Sequence, residues 1–244
     1  MNILHLILGC KNSYYTPIEN AAKQTWLNNS PENIKTIFMY GESDKIYWDG
    51  EESFYVNMPE NHQYNICLYK TITSFEWFIE SEFDYVYRTN NTGYFDLNAV
   101  SKFVEGKPTE KFYCGNSQRY ERSFNTPTAP YPGINYASGA SFFLSKDIVK
   151  KIIEHKDIIY SYNLPGWCDD VSIGKFITEY LNIDIDKSSE RIIVSYDNHE
   201  HPRIVIDDNL DLSHYHYKIQ DSSDGRPVNN IKSMFKIHQL KNSK

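Results

Sequence analysis

The sequence lacks the features that identify several common classes of protein. Its four cysteines include no CxxC pair, so a zinc knuckle is not expected. The net charge of −7 gives no support to nucleic-acid binding. The apolar run at residues 2–9 is too short for a membrane span and is typical of a buried strand. A glycine-rich phosphate loop, a GxSxG elbow and an HExxH zinc motif are also absent.

The cysteines and the N-terminal residues indicate the cellular compartment in which the protein is expected. Apolar neighbours around Cys67 and Cys114 predict buried free thiols, which favour a reducing environment. Residues 2–9 lack the charged start and the cleavage site of a signal peptide. We therefore expect a cytoplasmic protein of a bacterium, or a virus-encoded protein of the host cytoplasm.

Strand and helix patterns alternate along the chain, which is the signature of an α/β fold. Thr16 as N-cap, Pro17 and the capping-box residue Glu19 predict a helix start. The pattern predicts strands at 2–9, 34–40, 53–57, 84–89, 111–115, 140–144 and 191–195, and helices from Thr16 and at 65–82, 97–105, 146–155 and 169–182. We expect a mostly parallel mixed sheet flanked by helices in a single domain, residues 1–226. Residues 227–244 are expected to form a tail or a docking helix.

Three motifs in the middle of the chain carry the functional signal. An apolar-aromatic strand at 83–89 ends in the polar turn Asn90-Asn91-Thr92. The stretch Tyr136-Ala137-Ser138-Gly139-Ala140 leads into another apolar strand. The acidic pair Asp169-Asp170 follows Trp167-Cys168 and opens a helix. Each motif also has a plain structural explanation, as a turn, as a loop before a strand and as a charged first helical turn.

In this order and at this spacing, the three motifs resemble those of the inverting GT-A-type glycosyltransferases related to Fringe and the β-1,3-galactosyltransferases. The resemblance implies a GT-A-like fold. It also implies transfer of a hexose from a nucleotide-diphosphate donor, a UDP-sugar, to a hydroxyl group of a glycan or glycoprotein acceptor. Inversion at the anomeric carbon is implied by the family alone.

The turn Asn90-Asn91-Thr92 stands where the family carries an acidic DxD motif, so the motif is degenerate in this sequence. In the family, the first acid lies near the donor ribose and the last one ligates manganese. Neutral amides and a hydroxyl hold a hard divalent cation far more weakly than carboxylates do. Three alternatives stay open: transfer without a metal, a metal held by other residues, and an inactive site. The amides of Asn90 and Asn91 can still form hydrogen bonds with the nucleotide.

Basic side chains are alternative partners for the leaving diphosphate, in a way that resembles the branching N-acetylglucosaminyltransferases. The candidates are Lys70, Arg88, Arg119, Arg122, Lys218 and Arg226. If residues 213–218 form a strand, His214 and His216 face one side of it. There they could ligate a metal or contact phosphate.

The acidic pair resembles the Glu-Asp-Val motif of the family, in which the acid is the general base for the acceptor hydroxyl. Consecutive helical residues point in different directions, so we expect one acid to face the cleft and the other to cap the helix. We predict Asp170 as the base and keep Asp169 as the alternative. Ser138 and Gly139 are small enough for the donor sugar and phosphate to approach the backbone.

Two other functions compete with the glycosyltransferase hypothesis. A non-catalytic sugar- or nucleotide-binding module is favoured by the missing acidic metal site, and the retained acidic pair argues against it. A metal-dependent hydrolase would need four histidines to converge, namely His199, His201, His214 and His216.

Overall fold

The computed structural model describes residues 1–60, 64–120, 133–162, 168–196, 204–220 and 226–243. By their internal contacts the residues form two compact units. The first unit comprises residues 1–8, 35–89 and 107–189, and the second comprises residues 9–34, 90–106 and 190–244. None of the described helices combines the length and the hydrophobicity that a membrane span requires.

Eleven strands and seven α-helices make up the described secondary structure. The strands are β1 (Ile3–Leu8), β2 (Ile34–Tyr40), β3 (Tyr47–Trp48), β4 (Ser53–Tyr55), β5 (Tyr85–Asn90), β6 (Gly93–Phe95), β7 (Tyr113–Tyr120), β8 (Ile134–Ser145), β9 (Arg191–Ser195), β10 (Ile204–Val205) and β11 (His216–Ile219). The helices are α1 (Thr16–Gln24), α2 (Tyr64–Phe78), α3 (Leu97–Phe103), α4 (Lys146–Glu154), α5 (Lys156–Ser161), α6 (Asp169–Lys175) and α7 (Arg226–Asn242). A π-helical turn, Phe176–Tyr180, continues α6.

The first unit contains a seven-stranded sheet in the order β3-β4-β2-β1-β5-β8-β7. Strands β2 and β4 are parallel, whereas β8 pairs antiparallel with both β5 and β7, so the sheet is mixed. Apolar side chains from the sheet and from α2, α4 and α6 pack into one core. The predicted α/β fold with a mixed sheet flanked by helices is confirmed.

Strand β8 is much longer than the predicted strand at 140–144. It begins at Ile134, which pairs with Tyr120 of β7, and the pairing contains a β-bulge between Gly115 and Ser117. The small residues of the second motif therefore belong to a strand and not to a loop. The strand is longer because its first residues form backbone hydrogen bonds with β7, a pairing that the local sequence pattern does not reveal.

Helix α6 packs closely on β8 because Gly174 has no side chain. A Cβ atom at Gly174 would overlap the Cβ atom of Tyr136 and lie 3.1 Å from the hydroxyl of Tyr113. This close approach brings the first turn of α6, with its two acids, against the middle of β8.

The second unit contains a four-stranded sheet in the order β10-β9-β11-β6. Strand β9 is parallel to both neighbours, and β11 is antiparallel to β6. Helix α7 packs on α1 and on β6. Among the described cysteines Cys114 is buried, as predicted, whereas Cys67 is half-buried; both are free thiols.

The predicted start of α1 is wrong by one residue. Thr16 is the first helical residue and Tyr15 is the N-cap, without a side-chain cap. The Asn12 side chain instead accepts hydrogen bonds from the backbone N–H groups of Tyr14 and Tyr15, at 3.0 and 2.8 Å. This turn orders the chain ahead of the helix, and it replaces the capping hydrogen bond predicted for the Thr16 side chain.

Candidate active site

Asp169 is a fully engaged, buried carboxylate in the first turn of α6. Its Oδ1 atom accepts a hydrogen bond from Arg88 Nη2 at 2.7 Å, and its Oδ2 atom accepts one from Thr71 Oγ1 at 2.8 Å. The side chains of Asp169 and Arg88 are only 1% and 2% exposed. We expect one acid of the pair to cap α6; Cys168 is the N-cap and its side chain makes no capping hydrogen bond, whereas Asp170 accepts a hydrogen bond from the first-turn N–H group of Val171. Asp169 is neutralised by Arg88, because a buried carboxylate needs a countercharge.

Asp170 is half-buried and rests on the backbone of β8. Its Oδ2 atom accepts a hydrogen bond from the Gly139 N–H at 2.6 Å, and its Oδ1 atom accepts one from the Val171 N–H at 2.9 Å. A Cβ atom at Gly139 would lie 2.7 Å from Asp170 Oδ2 and 2.9 Å from Asp170 Cγ. The close backbone approach that this glycine allows is therefore used by the Asp170 carboxylate.

The surroundings of Asp170 raise the pKa of its carboxyl group above the ordinary value of an aspartate. Burial is the largest cause, and the neighbouring negative charge of Asp169 adds to it. The charge of Arg88 and the backbone N–H groups of Gly139 and Val171 act in the opposite direction and only partly offset this rise. A carboxylate with a raised pKa holds a proton more tightly, which suits a proton acceptor.

Arg88 connects three elements of the first unit. It lies on β5, opposite Phe142 of β8, whose ring is 5.6 Å from the guanidinium carbon. Its Nη2 atom bonds Asp169 of α6, and its Nη1 atom donates to the backbone carbonyl of Gly139 on β8. The guanidinium thus contacts the same glycine whose N–H group holds Asp170.

Lys70 lies on α2 and is buried, at 3% exposure, in an ion pair with Glu60. The other carboxylate oxygen of Glu60 accepts a hydrogen bond from the Gly41 N–H at 2.5 Å. Thr71, the next residue of α2, was not among the predicted site residues, although its hydroxyl donates to Asp169. Ser74, three residues later, is a fully buried polar residue of the same helix, so a polar residue at this position gave no distinct signal in the sequence.

Asn90 is the last residue of β5, and Asn91 and Thr92 form the turn that leads into β6. Asn91 is only 3% exposed, and its Nδ2 atom has no hydrogen-bond partner among the described residues. An orphaned amide donor and neutral oxygens do not form a site for a hard divalent cation. Within the described ranges no group of three or more His, Cys, Asp or Glu side chains is placed to hold a metal ion. The residues of this turn therefore do not fit the manganese site of the family, and we derive no step through a metal.

The histidines before and within β11 differ from the predicted arrangement. Strand β11 begins at His216, so His214 lies outside it, 3.4 Å from Asp211 through its Nε2 atom. His216 is 1% exposed and stacks on Phe95 with ring centroids 4.6 Å apart. Burial lowers the pKa of His216 far below its ordinary value, so the ring is neutral at pH 7. Tyr215 and Tyr217 are also fully buried.

The remaining candidates are scattered or lie outside the described residues. Ser138 is a half-buried residue of β8, Arg119 lies on β7, and Lys218 lies on β11 opposite Gly93. Arg226 is the first residue of α7. Outside the described residues are Arg122, Trp167, His199 and His201.

Comparison with known proteins places these elements in a family. The galactosyltransferase family model matches residues 19–189, more than half of the chain, and this segment includes Arg88, Gly139 and both acids of α6. A comparison with curated protein sequences found no match. Among solved structures, the chain is similar to a glycosyltransferase involved in the glycosylation of the major capsid of PBCV-1. The sequence identity is 13% and the TM-score is 0.49, over 96% of this chain and 99% of that chain.

Proposed function

Because this chain belongs to the galactosyltransferase family and is a GT-A-type glycosyltransferase, we propose that it transfers a hexose from a UDP-sugar to a hydroxyl group of a glycan or glycoprotein, with inversion. The observation that carries the proposal is the Asp170 carboxylate, which is held by two backbone N–H groups at 2.6 and 2.9 Å. A carboxylate in a fixed position with a raised pKa supplies the general base that this reaction needs.

The proposed reaction is an in-line displacement at the anomeric carbon. The acceptor oxygen forms a bond to that carbon while the bond to the diphosphate oxygen breaks, and the electron pair leaves with the diphosphate. The proton of the acceptor hydroxyl moves to Asp170. Each oxygen of Asp170 accepts one hydrogen bond from a described backbone N–H group and has a second lone pair for the acceptor.

We assign the base to Asp170 and not to Asp169 because their environments differ. Both oxygens of Asp169 accept hydrogen bonds from buried side chains, and its own charge is balanced by Arg88. Asp170 is half-buried and accepts hydrogen bonds only from backbone groups in the described part of the chain. Asp169 therefore acts as a structural carboxylate in this proposal.

The donor side of the proposal rests on the family resemblance. By this resemblance, the nucleotide is bound by Asn90, Asn91 and Thr92, and Ser138 lies near the donor sugar. Lys70 and Arg88 each face a buried carboxylate already. Following the family resemblance, we assign the diphosphate to Lys218 and Arg226, with His214 or the neutral imidazole of His216 as an additional hydrogen-bonding group.

The neutral turn also favours a second candidate function, a sugar- or nucleotide-binding module without catalysis. The two functions differ in one measurable property. A binding module holds a UDP-sugar without breaking it, whereas a transferase slowly hydrolyses its donor when no acceptor is present.

The test is slow hydrolysis of a panel of UDP-sugars, with added manganese and separately with a chelator. We expect one donor to be hydrolysed and Asp170→Asn to lower the rate by about 10²–10⁴-fold, the usual contribution of a general base. The matched control is Asp157→Asn, because Asp157 is an exposed acid in the first turn of α5. Calorimetric binding of UDP should be unchanged in both variants. Absence of UDP binding, or a wild-type rate in Asp170→Asn, would overturn the proposal.

A further inference from the structure

We propose that Arg88 is a positioning residue for the general base. Its guanidinium group holds the backbone of Gly139 on β8, and the N–H group of Gly139 holds the carboxylate of Asp170 in the orientation that accepts the proton. This inference rests on the proposed role of Asp170, and it assigns a function to a residue that touches neither donor nor acceptor in the proposed reaction.

The contacts form a continuous chain within the first unit. Arg88 Nη1 donates to the Gly139 carbonyl, and the Gly139 N–H donates to Asp170 Oδ2 at 2.6 Å. The other arm of the guanidinium, Nη2, bonds Asp169 Oδ1 at 2.7 Å. Since Asp169 and Asp170 are adjacent residues of α6, Arg88 holds both the helix and the strand between which the Asp170 carboxylate lies.

The chemistry of the guanidinium group explains why an arginine is present here. A buried ion pair commonly adds little stability compared with a well-packed apolar pair, so stability alone is a weak reason to bury Arg88 and Asp169. A planar fork of donors, by contrast, makes two bonds in a fixed relative geometry. At 2% exposure, the Arg88 side chain has little room for other orientations. Its two arms therefore set the distance between β8 and α6.

The position of the Gly139 backbone is coupled directly to that of the Asp170 carboxylate. No Cβ atom separates its backbone from Asp170, and the space for one is filled by Asp170 Oδ2, Cγ and Cβ. A shift of the Gly139 backbone therefore moves or breaks the bond to the carboxylate directly. Misplacement of a catalytic group by about 1 Å can lower a rate by about 10²-fold.

Arg88 also acts on Asp170 through its charge. Among the described residues, the titratable groups that act on or respond to the charge of Asp170 are Asp169, Arg88, Cys67 of α2, Cys168 and Tyr113 of β7. Burial raises the pKa of Cys67 to about 11 and that of Cys168 and Tyr113 further, so these three groups are neutral at pH 7. Arg88 is therefore the one positive charge among these groups, and it opposes the effect of Asp169.

The test compares Asp169→Asn with the double variant Arg88→Met/Asp169→Asn. The single variant Arg88→Met would leave Asp169 buried without its countercharge and could fail to fold for that reason alone. Neither chosen variant leaves a buried unpaired carboxylate. In Asp169→Asn the Arg88 guanidinium loses its partner charge but stays beside the Asp170 carboxylate, and thermal unfolding checks that each variant is folded. In Asp169→Asn the amide oxygen can still accept from Arg88, and the bond from Arg88 to Gly139 is kept. The comparison therefore isolates Arg88.

We expect the double variant to have a kcat about 10- to 100-fold below that of Asp169→Asn, with a similar KM for the donor. The acid limb of its pH–rate profile should lie at higher pH than in Asp169→Asn, because the positive charge beside Asp170 is lost. Arg88→Lys in the Asp169→Asn background should recover the pH limb but not the full kcat, since an ammonium group lacks the planar fork.

Equal kcat values and equal pH profiles of Asp169→Asn and the double variant would overturn the inference. The Asp170→Asn variant distinguishes this failure from failure of the proposed function. If Asp170→Asn is inactive and the double variant matches Asp169→Asn, only the role of Arg88 is refuted. If Asp170→Asn is as active as the wild type, Asp170 is not the base and both proposals fail.

Discussion

Replacement of Gly139 by alanine is the most direct perturbation of the Asp170 carboxylate. The backbone at Gly139 does not have a left-handed conformation, so alanine introduces no backbone strain there. The three heavy atoms nearest to the new Cβ atom would all belong to Asp170, at 2.7 Å for Oδ2, 2.9 Å for Cγ and 3.2 Å for Cβ. The variant therefore pushes the Asp170 carboxylate most strongly.

The size of the displacement follows from these distances. Ordinary contact of a Cβ atom begins at 3.4 Å, so the carboxylate oxygen must move by about 0.7 Å, and its bond to the Gly139 N–H is stretched or lost. By the general relation between misplacement and rate, we expect kcat to fall about 10- to 100-fold. Loss of one hydrogen bond to a charged group should lower the free energy of unfolding by about 1.5–3 kcal/mol.

The assay is donor turnover at saturating UDP-sugar, together with thermal unfolding of each variant. Gly115→Ala is the steric control, because its Cβ atom would lie 2.6 Å from Ala137 Cβ, an overlap of similar size away from Asp170. We expect Gly115→Ala to lose stability while the folded enzyme keeps its kcat. A wild-type kcat in Gly139→Ala would refute the reasoning that Asp170 must be held against the Gly139 backbone.

Two further predictions concern pH and stability. Because the pKa of Asp170 is raised in the folded state, the protonated carboxyl favours folding at low pH, and this contribution is lost as pH rises through the folded pKa. The Tm of Asp170→Asn relative to that of the wild type should therefore be higher at pH 7 than at pH 3, and a Tm difference independent of pH would contradict this. In the second unit, Lys241 Nζ donates to Asp96 Oδ2 at 2.6 Å and to the Leu212 carbonyl at 2.8 Å. Lys241→Met should lower the free energy of unfolding by about 1–3 kcal/mol in denaturant titrations. Burial raises the pKa of Asp96, but the hydrogen bonds from Lys241 and from backbone N–H groups outweigh it, so the net pKa is lowered. The loss of stability in Lys241→Met should therefore be largest above the pKa of an unfolded aspartate, and it should shrink as pH falls through the folded pKa. An equal loss of stability at all pH values would argue against the ion pair.

Local patterns predicted the elements that depend on local interactions. The alternation of strands and helices and the start of α6 at Asp169 were predicted and are found in the structure, whereas β5 extends one residue beyond its predicted end, to Asn90. The predictions were wrong where an element depends on residues outside it. The N-cap of α1 is one residue earlier than predicted because the Asn12 side chain orders the preceding turn, and β8 is longer than predicted because it pairs with β7.

From the residue pattern alone it follows that a carboxylate pair begins a helix, that small residues precede an apolar strand, and that the turn after β5 carries no acid. Which carboxylate of the pair is bound by side chains and which by backbone depends on the folded arrangement. The partners of Asp169 are Arg88 and Thr71, at sequence separations of 81 and 98 residues. Gly139, a partner of Asp170, is 31 residues away on strand β8. Ion pairs and hydrogen bonds of this kind depend on distance in space, which periodicity and spacing along the chain do not encode.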